Sequence, residues 1–196
     1  MDGGSIPIDS SCQVPAIHDL QSSLRKLNMN NKEPFSPVQY LMVVENIRLR
    51  PASLDDVDIA MPWYQDMEVL KYTAGIERNT PYDRERVKSM YHYLMNIGEC
   101  YIIEVKEKSS WIPIGDVTLS EETIPIVIGR KEYWGRGIAK QVLLYLIRRA
   151  KDIGYNRIRA KDIYDFNHRS LNLFNSLGFT KVRKTEHGIE MELRFK

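Results

Sequence analysis

The stretch GRKEYWGRGIAKQVLLYLIRRAKDIG, Gly129 to Gly154, decides the reading of this chain. Its second half is an amphipathic helix. Ile138, Val142, Leu146 and Ala150 recur at i+4 spacing, and Leu143, Ile147 and Ile153 widen that row into a core-facing stripe. Arg148, Arg149 and Lys151 suit the negative end of the helix dipole, and Gly154 supplies a stop. The first half is the odd part. Gly129, Gly135 and Gly137 each cost about 1 kcal/mol against Ala inside a helix. What they offer is backbone N–H groups unobstructed by side chains. At a helix start those groups are unpaired, and with Arg136 and Lys140 beside them they make a site fit for phosphate. The competing reading is a plain glycine turn between strand and helix.

Known phosphate loops narrow the choice. No Gly-x-x-x-x-Gly-Lys-Ser/Thr is present, and the dinucleotide fingerprint fails because Lys140 stands where a third Gly or Ala belongs. What remains is Trp134-x-x-Gly137-x-Ala139.

Working outward, Asn46 to Arg50 alternates as a strand that Pro51 stops. Ser53 with Asp56 has the form of a capping box before a helix through about Tyr64. TPYDRERVKSMYHYLMNIGE predicts a helix with Thr80 as cap, Pro81 at the first position, and Val87, Met90, Tyr91 and Leu94 on one face. Gly98 ends it. CYIIEVKE, WIPIGDVTLS and IPIVIG read as three strands. Beyond the long helix come a strand NRIRAKDIY, a short helix NHRSLNLFNSLGF and a hairpin turning at His187-Gly188. Consecutive strands imply antiparallel meanders, and strand–helix–strand around Gly129–Gly154 implies a parallel pair. The expected fold is α/β, a central mixed, mostly antiparallel twisted sheet of about 6–7 strands flanked by about four helices.

Residues 1–43 differ in character, with Gly-, Ser-, Asn- and Pro-rich segments around VPAIHDLQSSLRKLN. Val14, Ile17, Leu20, Leu24 and Leu27 fall at helical spacing, so this N-terminal extension reads either as a short amphipathic helix or as flexible chain. Residues 44–196 read as one domain. The 196-residue chain has a net charge of +2, which gives no case for nucleic acid as a partner. Two cysteines, Cys12 and Cys100, form no metal spacing and suit a reducing compartment. No apolar run approaches the roughly 20 residues of a membrane span. A secretory signal is not evident, so the expected location is cytoplasmic, with no membrane partner.

YWGRGIAKQVL resembles motif A of the GNAT superfamily of acetyl-CoA-dependent N-acetyltransferases, usually Gln/Arg-x-x-Gly-x-Gly/Ala. Trp134 replaces the Gln or Arg, as in the branch that includes ribosomal-protein N-terminal and aminoglycoside acetyltransferases. A second block agrees. NHRSLNLFNSLGF is similar to the family's Asn-x-x-Ser/Ala-x-x-Leu-Tyr-x-x-x-Gly-Phe, with Asn167, Ser170, Leu173, Gly178 and Phe179 in register.

The resemblance implies acetyl-CoA as cosubstrate, no metal, and an amine acceptor. It implies that the backbone from Gly135 through Arg136, Gly137, Ile138 and Ala139 to Lys140 holds the coenzyme A pyrophosphate. Ile128, Gly129 and Arg130 would pair with pantetheine, and the Ile128 N–H would stabilise the thioester oxyanion. Asn167, Ser170 and Phe174 would line the cofactor's far side; helix capping and a surface serine are the structural alternatives for the first two. Phe174 departs from the family, whose tyrosine there protonates the leaving thiolate. Asp116, Glu121 and Glu122 are candidates for base or amine anchor, against the reading of solvated loop charges. Trp63, Tyr64 and Asp66 are candidates for the amine site, against an aromatic core with a surface acid. The function implied is acetyl transfer from acetyl-CoA to a primary amine, such as an aminoglycoside, a polyamine or a protein N-terminus. The alternative is a non-catalytic acyl-CoA-binding protein on the same fold. The chain would act as a monomer or homodimer.

Overall fold

The computed structural model describes residues 40–75 and 80–195. The helix expected within residues 14–27 lies outside the described residues. Five strands form an antiparallel meander: β1 (Leu41–Val44), β2 (Ile47–Pro51), β3 (Glu99–Glu107), β4 (Ser110–Leu119) and β5 (Ile126–Ile128). Strand β1 opposes β2 through Leu41 and Leu49, so sheet pairing begins within the segment read as the extension. Its apolar LMVV shows no alternation, which is why the sequence does not announce it.

Strands β6 (Arg157–Tyr164), β7 (Thr180–Lys184) and β8 (Gly188–Arg194) form a second antiparallel sheet in the order β6-β8-β7. The crossover pair expected from the sequence is reduced to one bond, from the Ile124 N–H to the Arg159 carbonyl at 2.8 Å. Past it, no ladder joins β5 to β6, and the two sheets meet edge to edge with β5's outer edge unpaired. The mixed α/β fold thus has eight strands and five helices among the described residues.

Helix α1 (Val57–Gln65) follows a 3-10 turn opened by the expected capping box, in which Asp56 accepts from the Ser53 N–H at 2.8 Å. The segment MPWYQDMEVLKYT is divided between two helices. Its first part completes α1 and the rest forms α2 (Met67–Ala74), because Asp66 turns extended and accepts from the Glu68 N–H at 2.8 Å. Helix α3 (Arg84–Ile97) is capped by Asp83 rather than Thr80. The Asp83 carboxylate accepts from the Arg86 N–H at 2.8 Å, and the Tyr82 N–H is already committed to the Tyr64 carbonyl. Aspartate is also the stronger cap, so the helix starts three residues later than Pro81 suggests.

Helix α4 (Ile138–Asp152) buries Ile138, Val142, Leu143, Leu146, Ile147 and Ala150, as its periodicity predicts. Ile153 is instead 41% exposed, because it sits at the C-cap where the helix has ended. Arg149 forms a two-pronged bond to Glu99, at 2.5 and 2.6 Å, beyond any dipole effect. Helix α5 (His168–Ser176) follows β6. The first sheet is covered on both faces. Tyr101, Ile103, Val117 and Leu119 join α4 in one core. Asp116, on the other side of β4, meets Tyr64 of α1 and Tyr91 of α3.

Candidate active site

The turn before α4 is built by two left-handed glycines. Gly135 has φ +72° and Gly137, the N-cap, has φ +75°. A Cβ at either would meet nothing within 4 Å, so the turn faces open space. No side chain caps the helix. The first intrahelical acceptor is the Gly137 carbonyl, taken by the Gln141 N–H at 3.2 Å, so the N–H groups of Ile138, Ala139 and Lys140 have no helical partner. Arg136 and Lys140 are exposed beside them, and the Arg136 guanidinium sits 5.0 Å from the Tyr133 ring centre. The Ile138 side chain faces the core, so its contribution here is its backbone.

The free edge of β5 lies next to this turn. The Thr118 N–H bonds the Pro125 carbonyl at 3.1 Å, which fixes that pair as hydrogen-bonded. Alternation along the antiparallel ladder makes Gly115 opposite Ile128 a non-hydrogen-bonded pair. The Ile128 N–H and carbonyl therefore point away from β4, into the gap between the sheets. The carbonyl is occupied: the Trp134 indole N–H donates to it at 2.6 Å. Gly129 is glycine for a different reason from the turn pair. A Cβ there would lie 2.1 Å from the Trp63 ring. Arg130 pairs with Glu132 at 2.8 Å, and its N–H bonds the Ile114 carbonyl at 3.0 Å.

On the far side of the gap, Asn167 caps α5 by accepting from the Ser170 N–H at 3.1 Å. Its amide also donates to the Tyr72 carbonyl of α2 at 3.3 Å, tying α2 to the start of α5. Both polar ends of Asn167 are thus engaged within the protein. Ser170 is half-buried beside it. Phe174 is 4% exposed and packs edge-to-face on Phe179 with ring centres 5.0 Å apart, inside the main core. The side chain at the family's tyrosine position therefore faces the core.

The three candidate carboxylates are not brought together. Asp116 is 5% exposed and accepts from Tyr64 at 3.0 Å and from Tyr91 at 2.7 Å. Burial pushes its carboxyl up to about 6, opposed by the Tyr91 and Tyr64 hydroxyl bonds. Burial likewise holds both tyrosines far above their ordinary range, so they remain donors. By register Asp116 stands opposite Val127, one residue from Ile128. Glu121 accepts from the Asn156 N–H at 3.2 Å and Glu122 pairs with Lys161 at 3.6 Å. Both sit in the turn closed by the Ser120 N–H on the Thr123 carbonyl, before β5, and belong to the opposite end of the strand from Ile128.

The three amine-site candidates also separate. Trp63 and Asp66 line a pocket of about 360 Å³ with Pro62, Gly129 and Arg130. Trp63 is only 4% exposed, so it is a wall rather than a stacking platform. Asp66 pairs with Lys131 at 2.9 Å, which lowers its carboxyl pKa. Tyr64 is buried against Asp116 and stacks on Tyr82 at 5.7 Å. Sequence reading missed the Trp134 bond to the strand, the Tyr91 hydroxyl on Asp116, and the roles of Tyr72 and Arg169. A strand aspartate flanked by apolar residues requires buried donors, but that signal does not say which residues supply them. Nothing in the sequence announces the Trp134 bond. No cluster of metal-binding side chains occurs among the described residues. No helix among them is long and apolar enough to cross a membrane.

An uncapped, glycine-started helix thus stands beside an unpaired strand edge, with N–H groups at both free to meet an anionic or acceptor-rich ligand. The chain belongs to the GNAT acetyltransferase family, whose domain model matches residues 46–180. The N-acetyltransferase 9-like protein of Nematostella vectensis is 31% identical over 153 residues, covering 68% of this chain and 74% of that protein. An uncharacterised protein of Methanocaldococcus jannaschii is 27% identical over 147 residues, 70% of this chain. This chain spans 29% of that relative's length. A crystallised domain from the same organism has a TM-score of 0.66 at 27% identity, covering 76% of this chain and 98% of that domain. A ribosomal L7/L12 α-N-protein acetyltransferase solved with coenzyme A shares the fold, with a TM-score of 0.63 at 14% identity, over 80% of this chain and 98% of that one.

Proposed function

We propose that this chain transfers the acetyl group of acetyl-CoA to a primary amine. The observation that carries the reading is the juxtaposition of the Gly135–Gly137 turn with the outward-facing Ile128 N–H. The turn's N–H groups and the positive end of α4 hold the pyrophosphate, with Arg136 and Lys140 adding charge. Pantetheine extends along the free edge of β5, and the Ile128 N–H donates to the thioester oxygen as charge develops there. Family membership and the coenzyme A complex of the ribosomal-protein acetyltransferase support this cofactor.

The amine enters from the pocket walled by Trp63 and edged by Asp66. Its nitrogen, once deprotonated, attacks the thioester carbonyl carbon. A C–N bond forms, the C–S bond breaks, and coenzyme A leaves as thiolate before taking up a proton. A thiol's ordinary pKa of about 8.5 makes that departure possible without a tyrosine at Phe174. Asp116, opposite Val127 in the ladder, accepts the amine's proton through the hydroxyls that contact it.

Release of free thiol from acetyl-CoA across aminoglycosides, polyamines and peptide N-termini tests this reading. Turnover dependent on one acceptor class is expected. Tight acetyl-CoA binding with no turnover on any amine would overturn it in favour of a non-catalytic acyl-CoA-binding role.

A further inference from the structure

We infer that Trp134 is a positioning residue that sets the register of the acyl thioester on β5. The inference rests on the acetyl-CoA reading above and deepens it. The indole N–H of Trp134 donates to the Ile128 carbonyl at 2.6 Å, on the side of β5 that faces the gap. Two contacts and the chain itself hold the ring in place. Tyr72 meets it edge-on at 5.8 Å, the Arg169 guanidinium lies 5.4 Å from its centre, and the next residue begins the glycine turn. Tyr72 is itself fixed, because its carbonyl accepts from Asn167 across the gap.

The consequence follows from strand chemistry. An extended ligand that adds to a strand edge pairs with both the N–H and the carbonyl of every second residue. Ile128 has its carbonyl already filled, so only its N–H is left to a ligand. Pantetheine paired across Ile128 in that way would bring one amide's acceptor to the N–H and a neighbouring amide's donor to the filled carbonyl, and a buried unpaired donor is costly. A thioester carries an acceptor oxygen and no donor. Of the groups along the pantetheine arm, the thioester is therefore the one that fits Ile128 without leaving a polar atom unpaired. The same side chain joins the strand that meets the thioester to the turn that meets the phosphates, which fixes the span between the two ends of the cofactor.

The test uses the full chain and acetyl-CoA labelled with carbon-13 at the acetyl carbonyl. Bound to the wild type, the carbonyl stretch moves to lower frequency relative to the free thioester. In Trp134→Phe that shift is expected to shrink, and kcat to fall about 10-fold or more, while the acetyl-CoA Kd changes less than about 3-fold. An unchanged carbonyl shift and kcat in this variant would overturn the assignment. A wild type that does not bind acetyl-CoA would overturn the cofactor reading itself, and the assignment with it. If Trp134→Phe does not fold, the wild type alone decides. The nitrogen-15 resonance of the Trp134 indole should stay hydrogen-bonded and protected from exchange when acetyl-CoA binds. Loss of that protection on binding would mean the ligand takes the Ile128 carbonyl, and the inference fails.

Discussion

Asp116 is an ionisable group held where water does not reach it, and its proton is what a residue-scale test reads. Its folded pKa, pushed up to about 6 by burial, lies above the roughly 3.9 of an unfolded aspartate. Between those values the folded protein keeps a proton that the unfolded chain has released. The Asp116 contribution to stability is therefore full below about pH 4 and is lost as pH rises through about 6. Asp56 and Glu192 carry lowered pKa values and act with the opposite sign, since their contribution is lost as pH falls. Comparing wild type with Asp116→Asn at each pH removes them. The stability of wild type relative to the variant should fall between about pH 4 and pH 7 in urea titrations; a difference that stays flat would show that Asp116 titrates normally. The rate is a separate readout. If Asp116 takes the amine's proton, kcat/KM rises with pH through about 6 in the wild type and loses that limb in Asp116→Asn. Little of this was legible in the sequence. A lone Asp in an apolar strand marks a constraint, but the donors are 52 and 25 residues away, on two different helices.

At the scale of elements, helix starts separate what sequence can and cannot fix. The capping box at Ser53 and the glycine turn before α4 are local, and both appear as read. The start of α3 is not local, because the Tyr82 N–H is held by the Tyr64 carbonyl of α1. Thr80 and Pro81 have the right chemistry for a cap, and the tertiary bond leaves them upstream of it. Asp83→Ala should cost about 1 kcal/mol in urea unfolding and Thr80→Ala close to nothing. The reverse order would place the functional cap at Thr80. Helix α2 likewise exists because Asp66 both ends one helix and caps the next. Its position matters, since Tyr72 of α2 packs on Trp134 and accepts from Asn167 at the edge of the gap.

The whole molecule is organised around a division that periodicity alone does not show. Strand–helix–strand predicts a parallel pair, yet β5 and β6 share one bond and then part. Each strand has the composition of a paired strand, and nothing in IPIVIG or NRIRAKDIY says that their facing edges stay open. The glycine turn and the Asn167 block, read together, point to a cofactor between them and so to the opening. The geometry then locates the donors: the first N–H groups of α4 at one end and the Ile128 N–H at the other. Our proposal seats the pyrophosphate of acetyl-CoA against the Gly135–Gly137 turn, and calorimetric titration of acetyl-CoA into wild type, Gly137→Asn and Gly137→Asp probes that seat. Both substitutions bear the same left-handed backbone, and a Cβ there meets nothing, so only the charge distinguishes them. A carboxylate about 5 Å from a phosphate costs about 3 kcal/mol, or about 100-fold in affinity. Gly137→Asn should retain binding and Gly137→Asp should lose about 100-fold or more; equal affinity for the two variants would place the pyrophosphate elsewhere.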